Sequence, residues 1–227
     1  MKFDWVKFLQ FQTIVQPLWE TIYMVFISTI IALIIGLPIG ILLTISDTKG
    51  VKPNKTLHKI LDIVIVNVTR SIPFIILIVL LIPLSKLLFK YSFGSTSFIV
   101  PLSLGSAPFV ARVIEGALKE VDEGLIEASK SMGAKTSEII FKVMIPEAMP
   151  ALVHGMTLTL ISLIGYSAMA GTIGGGGLGN AAVMDGFQRN NMELMWQATI
   201  VTIILVQIIQ FVGDKIVKAL LNKRKRT

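Results

Sequence analysis

The amino-acid sequence predicts an all-α membrane protein with five transmembrane helices and a helical elbow on the cytoplasmic side. Three observations lead there. The 227 residues are 53% hydrophobic and only 15% charged, against about 25% charged in an ordinary soluble domain. Charge is also missing from whole segments: 21–46, 91–111, 156–184 and 194–212 hold no Asp, Glu, Lys, Arg or His, and 63–85 holds only Arg70. About 20 such residues cross a bilayer as a helix. Lastly, lysine and arginine gather in alternate connecting segments, as cytoplasmic loops require.

The first 20 residues lack an uninterrupted apolar core and a small-residue cleavage site, so they are expected to be retained rather than removed as a signal peptide. Span one covers about 19–45. Its Gly36-Leu-Pro-Ile-Gly40 segment is a small-xxx-small face that lets another helix approach closely, with packing inside this subunit preferred over a subunit contact. Span two, about 60–87, contains Arg70. Span three, about 94–118, is weakly apolar, with Pro101, Gly105, Pro108 and several serines. In lipid, freed backbone groups and hydroxyls need protein partners, so this span belongs in the interior, bordering a pathway. Spans four and five cover about 148–171 and 194–219. No repeat or low-complexity segment divides the chain, which is read as one domain, 1–227.

Lys49, Lys52, Lys55 and Lys59 follow span one, Lys119, Lys130, Lys135 and Lys142 follow span three, and Lys218, Lys223, Arg224, Lys225 and Arg226 follow span five. The other side has Lys2, Lys7, Lys86, Lys90 and Arg189. The bias places the N-terminus outside and the C-terminus in the cytoplasm. Trp5, Trp19, Tyr23 and Trp196 then fall near the outer span ends, as an aromatic belt. The net charge of +7 reads as a topology anchor near anionic lipid, not as a nucleic-acid surface, since no groove-reading motif accompanies it.

Several chemistries are excluded. There is no cysteine and only two histidines, so no thiolate or His-based metal site is expected, nor any cofactor. No G-x-x-x-x-G-K-[ST] occurs, so ATP cannot be held by a Walker A loop. No Ser/His/Asp set or paired membrane carboxylates suggest catalysis, and the chain is not read as an enzyme. Gly174-Gly-Gly-Gly-Leu-Gly179 matches G-x-G-x-x-G but follows a membrane helix instead of a strand, so it is read as a tight irregular turn ending span four.

Two places invite function, the membrane interior, where spans two and four each supply candidates, and a polar stretch outside it. Arg70, with Ser71 and Pro73, lies inside span two, and a charge at depth faces a cavity or a partner. It either lines the translocation path or pairs with a carboxylate such as Asp62 or Glu115. In span four, Tyr166, Ser167, Met169 and Thr172 precede the glycine turn, and they suit a mostly apolar lining with a few hydroxyls. Met169 is either a flexible gate or packing against span five.

The second place is the polar stretch 121–145. Leu118, Val121, Leu125, Ala128 and Met132 recur at helical spacing and share one face. Gly133 suits a left-handed cap, Thr136 or Ser137 can cap a second short helix, and Pro146 suits the first turn of the next span. The expected shape is two short helices at an angle, which can fill a groove on a partner.

Here Glu127-Ala128-Ser129, Gly133 and Ile145-Pro146 resemble the "EAA" loop of ABC-importer permease subunits, with Ser129 where the pattern has a second Ala. "RSIPFIIL" at 70–77, "APFVAR" at 107–112, "EGALKEVDEGLIEASKSMGA" at 115–134 and "AMAGTIGGGGLG" at 168–179 are similar to the methionine-uptake branch of that family. The resemblance implies a type I importer permease in the bacterial cytoplasmic membrane. It implies a homodimer, two separate ATP-binding subunits docked on the elbow, and an extracytoplasmic substrate-binding protein. The implied cargo is methionine. The same machine carrying another small solute, such as a polar amino acid or a quaternary amine, and an autonomous channel or scaffold are the alternatives.

Overall fold

The structure, a computed structural model, describes residues 12–224. Lys2, Trp5 and Lys7, and Lys225 and Arg226 of the tail, lie outside the described residues. The elements, all helical, are α1 (Gln12–Ser46), α2 (Lys55–Ser71), α3 (Phe74–Phe89), α4 (Ser95–Lys119), α5 (Glu123–Ser131), α6 (Thr136–Gly175), α7 (177–188) and α8 (Met192–Arg224). Four of them, α1, α4, α6 and α8, are each long and apolar enough to cross a membrane, and α2 with α3 make a fifth if the broken pair is one span.

That break corrects the picture of an unbroken helix over 60–87. Pro73 adopts φ −53°, ψ 132°, and it has no N–H to donate to the carbonyl four residues back. A residue before proline is also pushed out of the helical region, which ends α2 at Ser71. The Pro73 carbonyl then accepts the N–H groups of Ile76 and Leu77, at 2.9 and 3.1 Å, and starts α3.

The chain forms two compact units. One contains residues through Ile31, Ile72–Ser106 and Leu160–Gln210. Its core joins Met24 and Val25 of α1, Ile78 of α3, Phe98 and Leu102 of α4, and Leu163 and Ile164 of α6. A smaller cluster adds Ile14, Leu178, Ala181 and Ala198.

The other unit contains Ala32–Ser71, Ala107–Thr159 and the chain from Phe211 on. Its main core joins Ala32 of α1, Val110, Ile114 and Leu118 of α4, and Ile139, Ile140, Met144 and Leu152 of α6. Gly36 and Gly40 pack here: a Cβ on either would stand 2.9 and 2.6 Å from the carbonyl oxygens of Ala107 and Ala111. In lipid, close packing of small residues does much of what the hydrophobic effect does in water, so the small-xxx-small face is used inside this chain.

Among the described residues, the apolar stretch of α4 is mostly buried, whereas that of α8 is almost wholly uncovered. The interior place expected for span three is thus observed. Two of its hydroxyls are satisfied within the helix, Ser103 donating to Ile99 O and Ser106 to Leu102 O, both at 2.6 Å, and Ser97 donates to Tyr91 O before it, at 2.9 Å. No buried side-chain polar atom among the described residues lacks a partner.

Candidate functional site

The elbow forms inside the second unit. Asp122 caps α5, its carboxylate accepting the Gly124 N–H at 2.7 Å, which satisfies one of the donors a helix start leaves open. At the other end Gly133 takes φ +80°. Its N–H donates to Lys130 O at 2.9 Å, and the N–H of Ala134 donates to Ser129 O at 3.1 Å. These two bonds are the Schellman termination, and its left-handed residue strongly favours glycine.

Three expectations need correction. The helical face running from Leu118 does not continue past Val121, because the chain breaks before Asp122 and α5 starts a new register. Leu118 and Val121 are buried, whereas Leu125 is 44% exposed and Met132 81%, with Ala128 exposed beside them. Ile126 and Ser129 face inward instead, and the Ser129 hydroxyl donates to Leu125 O at 2.7 Å. The second piece is capped at Lys135, whose N–H donates to the Glu138 carboxylate at 3.1 Å. Finally, that piece does not stop before Pro146. It merges into α6 through a π-helical turn at Ile139–Met144. The wider turn precedes a residue that cannot donate a backbone hydrogen bond, so the helix continues past the proline.

The residues expected to couple differ in exposure. Glu127, Ala128, Gly133 and Pro146 are exposed, Ile145 is half-buried against the core, and Ser129 is buried. Phe141, 63% exposed, adds a further uncovered apolar side chain.

Beneath the elbow lies a charge network that sequence reasoning missed. Glu115 is 3% exposed and accepts from Arg112 at 2.6 Å and from Lys119 at 2.8 Å. Arg112 also binds Asp62 of α2 and donates to Asn67 at 3.0 Å. Lys119 reaches Asp47 at 2.5 Å, and this ammonium holds the Asp47 carboxyl down to about 2. His58, whose Nδ1 stands 3.1 Å from Leu43 O, comes near Asp47 and Glu115. With two cations already on these carboxylates, the cluster is an ion-pair network tying the end of α1 and α2 to α4. The signal was present in Arg112, Glu115 and Lys119, spaced three and four apart on one helix face.

That network answers one alternative for Arg70. Asp62 and Glu115 pair with Arg112, and Arg70 is exposed with no ion partner among the described residues. Ser71, also exposed, donates to Asn67 O at 2.8 Å.

In the first unit, Pro73 is exposed before Phe74, whose ring stacks on Tyr166 with centroids 3.8 Å apart. Ser167 is buried and donates to Ile164 O at 2.8 Å, and the Thr172 hydroxyl donates to Met169 O at 2.7 Å. Met169 is 44% exposed, outside the buried clusters.

The glycine turn follows. Gly174, Gly176 and Gly177 have φ of +97°, +74° and +77°. Two α1 side chains hold it: the Glu20 carboxylate accepts the Gly177 N–H and the Thr21 hydroxyl accepts the Leu178 N–H, both at 2.8 Å. A Cβ on Gly176 would stand 2.6 Å from the Glu20 carboxylate oxygen. The irregular turn is therefore observed, with partners that its own sequence does not reveal.

The model of the family described as "binding-protein-dependent transport system inner membrane component" matches residues 36–226. The chain belongs to this family. It is 46% identical to the probable D-methionine transport system permease protein MetI of Vibrio cholerae, over 88% of each chain. It is 50% identical to the methionine import system permease protein MetP of Bacillus subtilis, over 81% of this chain and 82% of that one. Among solved structures, a chain of the MetNI methionine ABC transporter, in its inward-facing native crystal form, superposes with a TM-score of 0.88 at 45% identity. That match covers 91% of this chain and 95% of the other. The architecture is accordingly that of an ABC-importer permease, a multi-pass inner-membrane component.

Proposed function

We propose that this chain is the permease subunit of an ATP-driven methionine importer. One observation carries the mechanical half of that proposal. The elbow presents Leu125, Ala128, Met132 and Phe141 uncovered, in a chain with no ATP-binding loop of its own. An apolar helical face beside an exposed Glu127 suits a groove on a separate ATPase. The permease is a transport subunit and not an enzyme, and hydrolysis belongs to its partner. The similarity to methionine permeases of two distant bacteria supports the choice of cargo.

Two copies of the chain would enclose the path, and two ATP-binding subunits would each take one elbow, at Glu127, Ala128, Ser129, Gly133, Ile145 and Pro146. An extracytoplasmic substrate-binding protein or lipoprotein would deliver substrate to the outer face. The chain acts as one domain, 1–227, because α1, α4, α6 and α8 each contribute residues to both units. Closure of the ATPase pair would move the elbows and switch the bundle between two packed states. Arg70, Ser71, Pro73, Tyr166, Ser167, Met169 and Thr172 are assigned to the path or its gate. The N-terminus lies outside and the C-terminus in the cytoplasm.

The test is uptake of labelled methionine into proteoliposomes holding the permease with its ATPase and binding protein. Uptake should require ATP and be blocked by unlabelled methionine. Competition by a polar amino acid or a quaternary amine in methionine's place would reassign the cargo. Flux without ATP would make the chain a channel.

A further inference from the structure

The start of α2 carries a shallow groove apart from the residues assigned above to the elbow and the path. It holds about 380 Å³ and is lined by Lys55, Thr56, Lys59, Ile60, Ile63 and Val64. Its polar members come first in the chain and its apolar members follow. The lining residues are three adjacent pairs, each pair four residues on from the last, so they form one face of α2, roughly 12 Å long at the rise of a helix.

Neither lysine has an acidic partner within ion-pair distance among the described residues, and both are exposed. The nearest acid in sequence, Asp62, is committed to Arg112 and Asn67. Ile60, Ile63 and Val64 are 51%, 44% and 59% exposed, so nothing among the described residues covers the apolar end.

We propose that this groove binds one anionic phospholipid of the surrounding bilayer. The phosphate would sit on the Lys55 and Lys59 ammonium groups, with the Thr56 hydroxyl as a further donor, and the first part of an acyl chain would lie along Ile60, Ile63 and Val64. Charge complementarity selects this occupant. A free phosphate leaves the apolar end uncovered, and a neighbouring apolar helix leaves two lysines unpaired. Basic pockets at the polar edge of a membrane helix bind anionic head groups in this manner. The proposal rests on the membrane-spanning reading of α2 with α3 and not on the cargo, so it survives a change of substrate.

The experiment uses the assembled transporter, permease and ATPase together, extracted from membranes of equal parts phosphatidylethanolamine and phosphatidylglycerol. Native mass spectrometry counts the lipids retained per complex. Wild type is expected to keep phosphatidylglycerol in preference to phosphatidylethanolamine. Lys55→Gln with Lys59→Gln should lower that preference about 30-fold, from two lysines each contributing about one charge contact at a membrane surface. Val64→Trp, which fills the apolar half and keeps both charges, should lower it too. Lys52→Gln with Lys218→Gln removes the same charge outside the groove and should leave it unchanged. Equal loss in that control pair would mean general surface attraction and overturn the site. So would full retention in either groove variant, displacement by millimolar inorganic phosphate, or no retained lipid in the wild-type assembly because the ATPase covers the lysines.

Discussion

Gly133 offers the sharpest test of the elbow. It sits at φ +80°, and a Cβ built there meets nothing within 4 Å. A substitution therefore causes no clash, and its whole cost is the backbone conformation. For a residue with a side chain that cost is roughly 1–2 kcal/mol. Against a typical stability of about 5–15 kcal/mol the permease still folds and inserts. Locally the same cost corresponds to roughly a 5- to 30-fold drop in the population of the capped elbow. Asparagine tolerates the left-handed region, alanine does so poorly, and a β-branched residue worst. The expected order of coupling is thus Gly, then Asn, then Ala, then Val. The assay is methionine taken up per ATP hydrolysed in proteoliposomes, normalised to the amount of assembled complex. Uptake per ATP in Gly133→Val equal to wild type would refute the reasoning, as would Asn and Val variants that are equally impaired.

Four further outcomes are expected. Glu115→Gln leaves Arg112 and Lys119 without their shared buried carboxylate and should cost about 2–4 kcal/mol, less than a fully buried pair because both cations are partly exposed. A thermal melt of the detergent-purified complex unchanged from wild type would show the network to be idle. Lys119 holds Asp47 at about 2, below its ordinary 3.8, so the stability this group adds is whole above about pH 4 and is lost as pH falls towards 2. Asp47→Asn should then destabilise the complex equally at pH 5 and pH 8 and much less near pH 2, and a penalty confined to alkaline pH would contradict that sign. Met169→Ala should raise ATP-independent leak or change solute selectivity while leaving the ATPase bound, whereas less assembled complex with normal transport per complex would make the residue structural. A protease-sensitive tag after Thr227 should be cut from the cytoplasm and one before Met1 from outside, and the reverse result would break the topology.

Much of the elbow was legible beforehand because it is local. Glycine at residue 133 announces a left-handed cap through its missing Cβ, whereas the cap at Asp122 was passed over. The exposed face was misread for the same local reason. Periodicity counted through Glu120–Asp122 assumed a continuous helix, and two or three non-helical residues rotate every later side chain to a different direction. The π-helical turn before Pro146 was invisible, since nothing in Ile-Ile-Phe-Lys-Val-Met distinguishes a wide turn from a regular one.

The chain's composition and its charge-free runs were enough to place it in a membrane, because an apolar helix satisfies its own backbone and needs no knowledge of neighbours. Pro73 also held the local cause of the break in the second span, although the break itself was not expected. Which charge pairs with which was not legible. Arg70 and Arg112 are both single cations in apolar surroundings on the page of sequence, yet among the described residues Arg112 and not Arg70 meets Asp62, a residue 50 positions away, and Glu20 and Thr21, 157 positions distant, help to hold the glycine turn. Such partnerships depend on which helices lie side by side and at what rotation, and in lipid that is decided by the fit of small residues such as Gly36 and Gly40 against a neighbouring backbone, a property of two surfaces together and of neither segment alone.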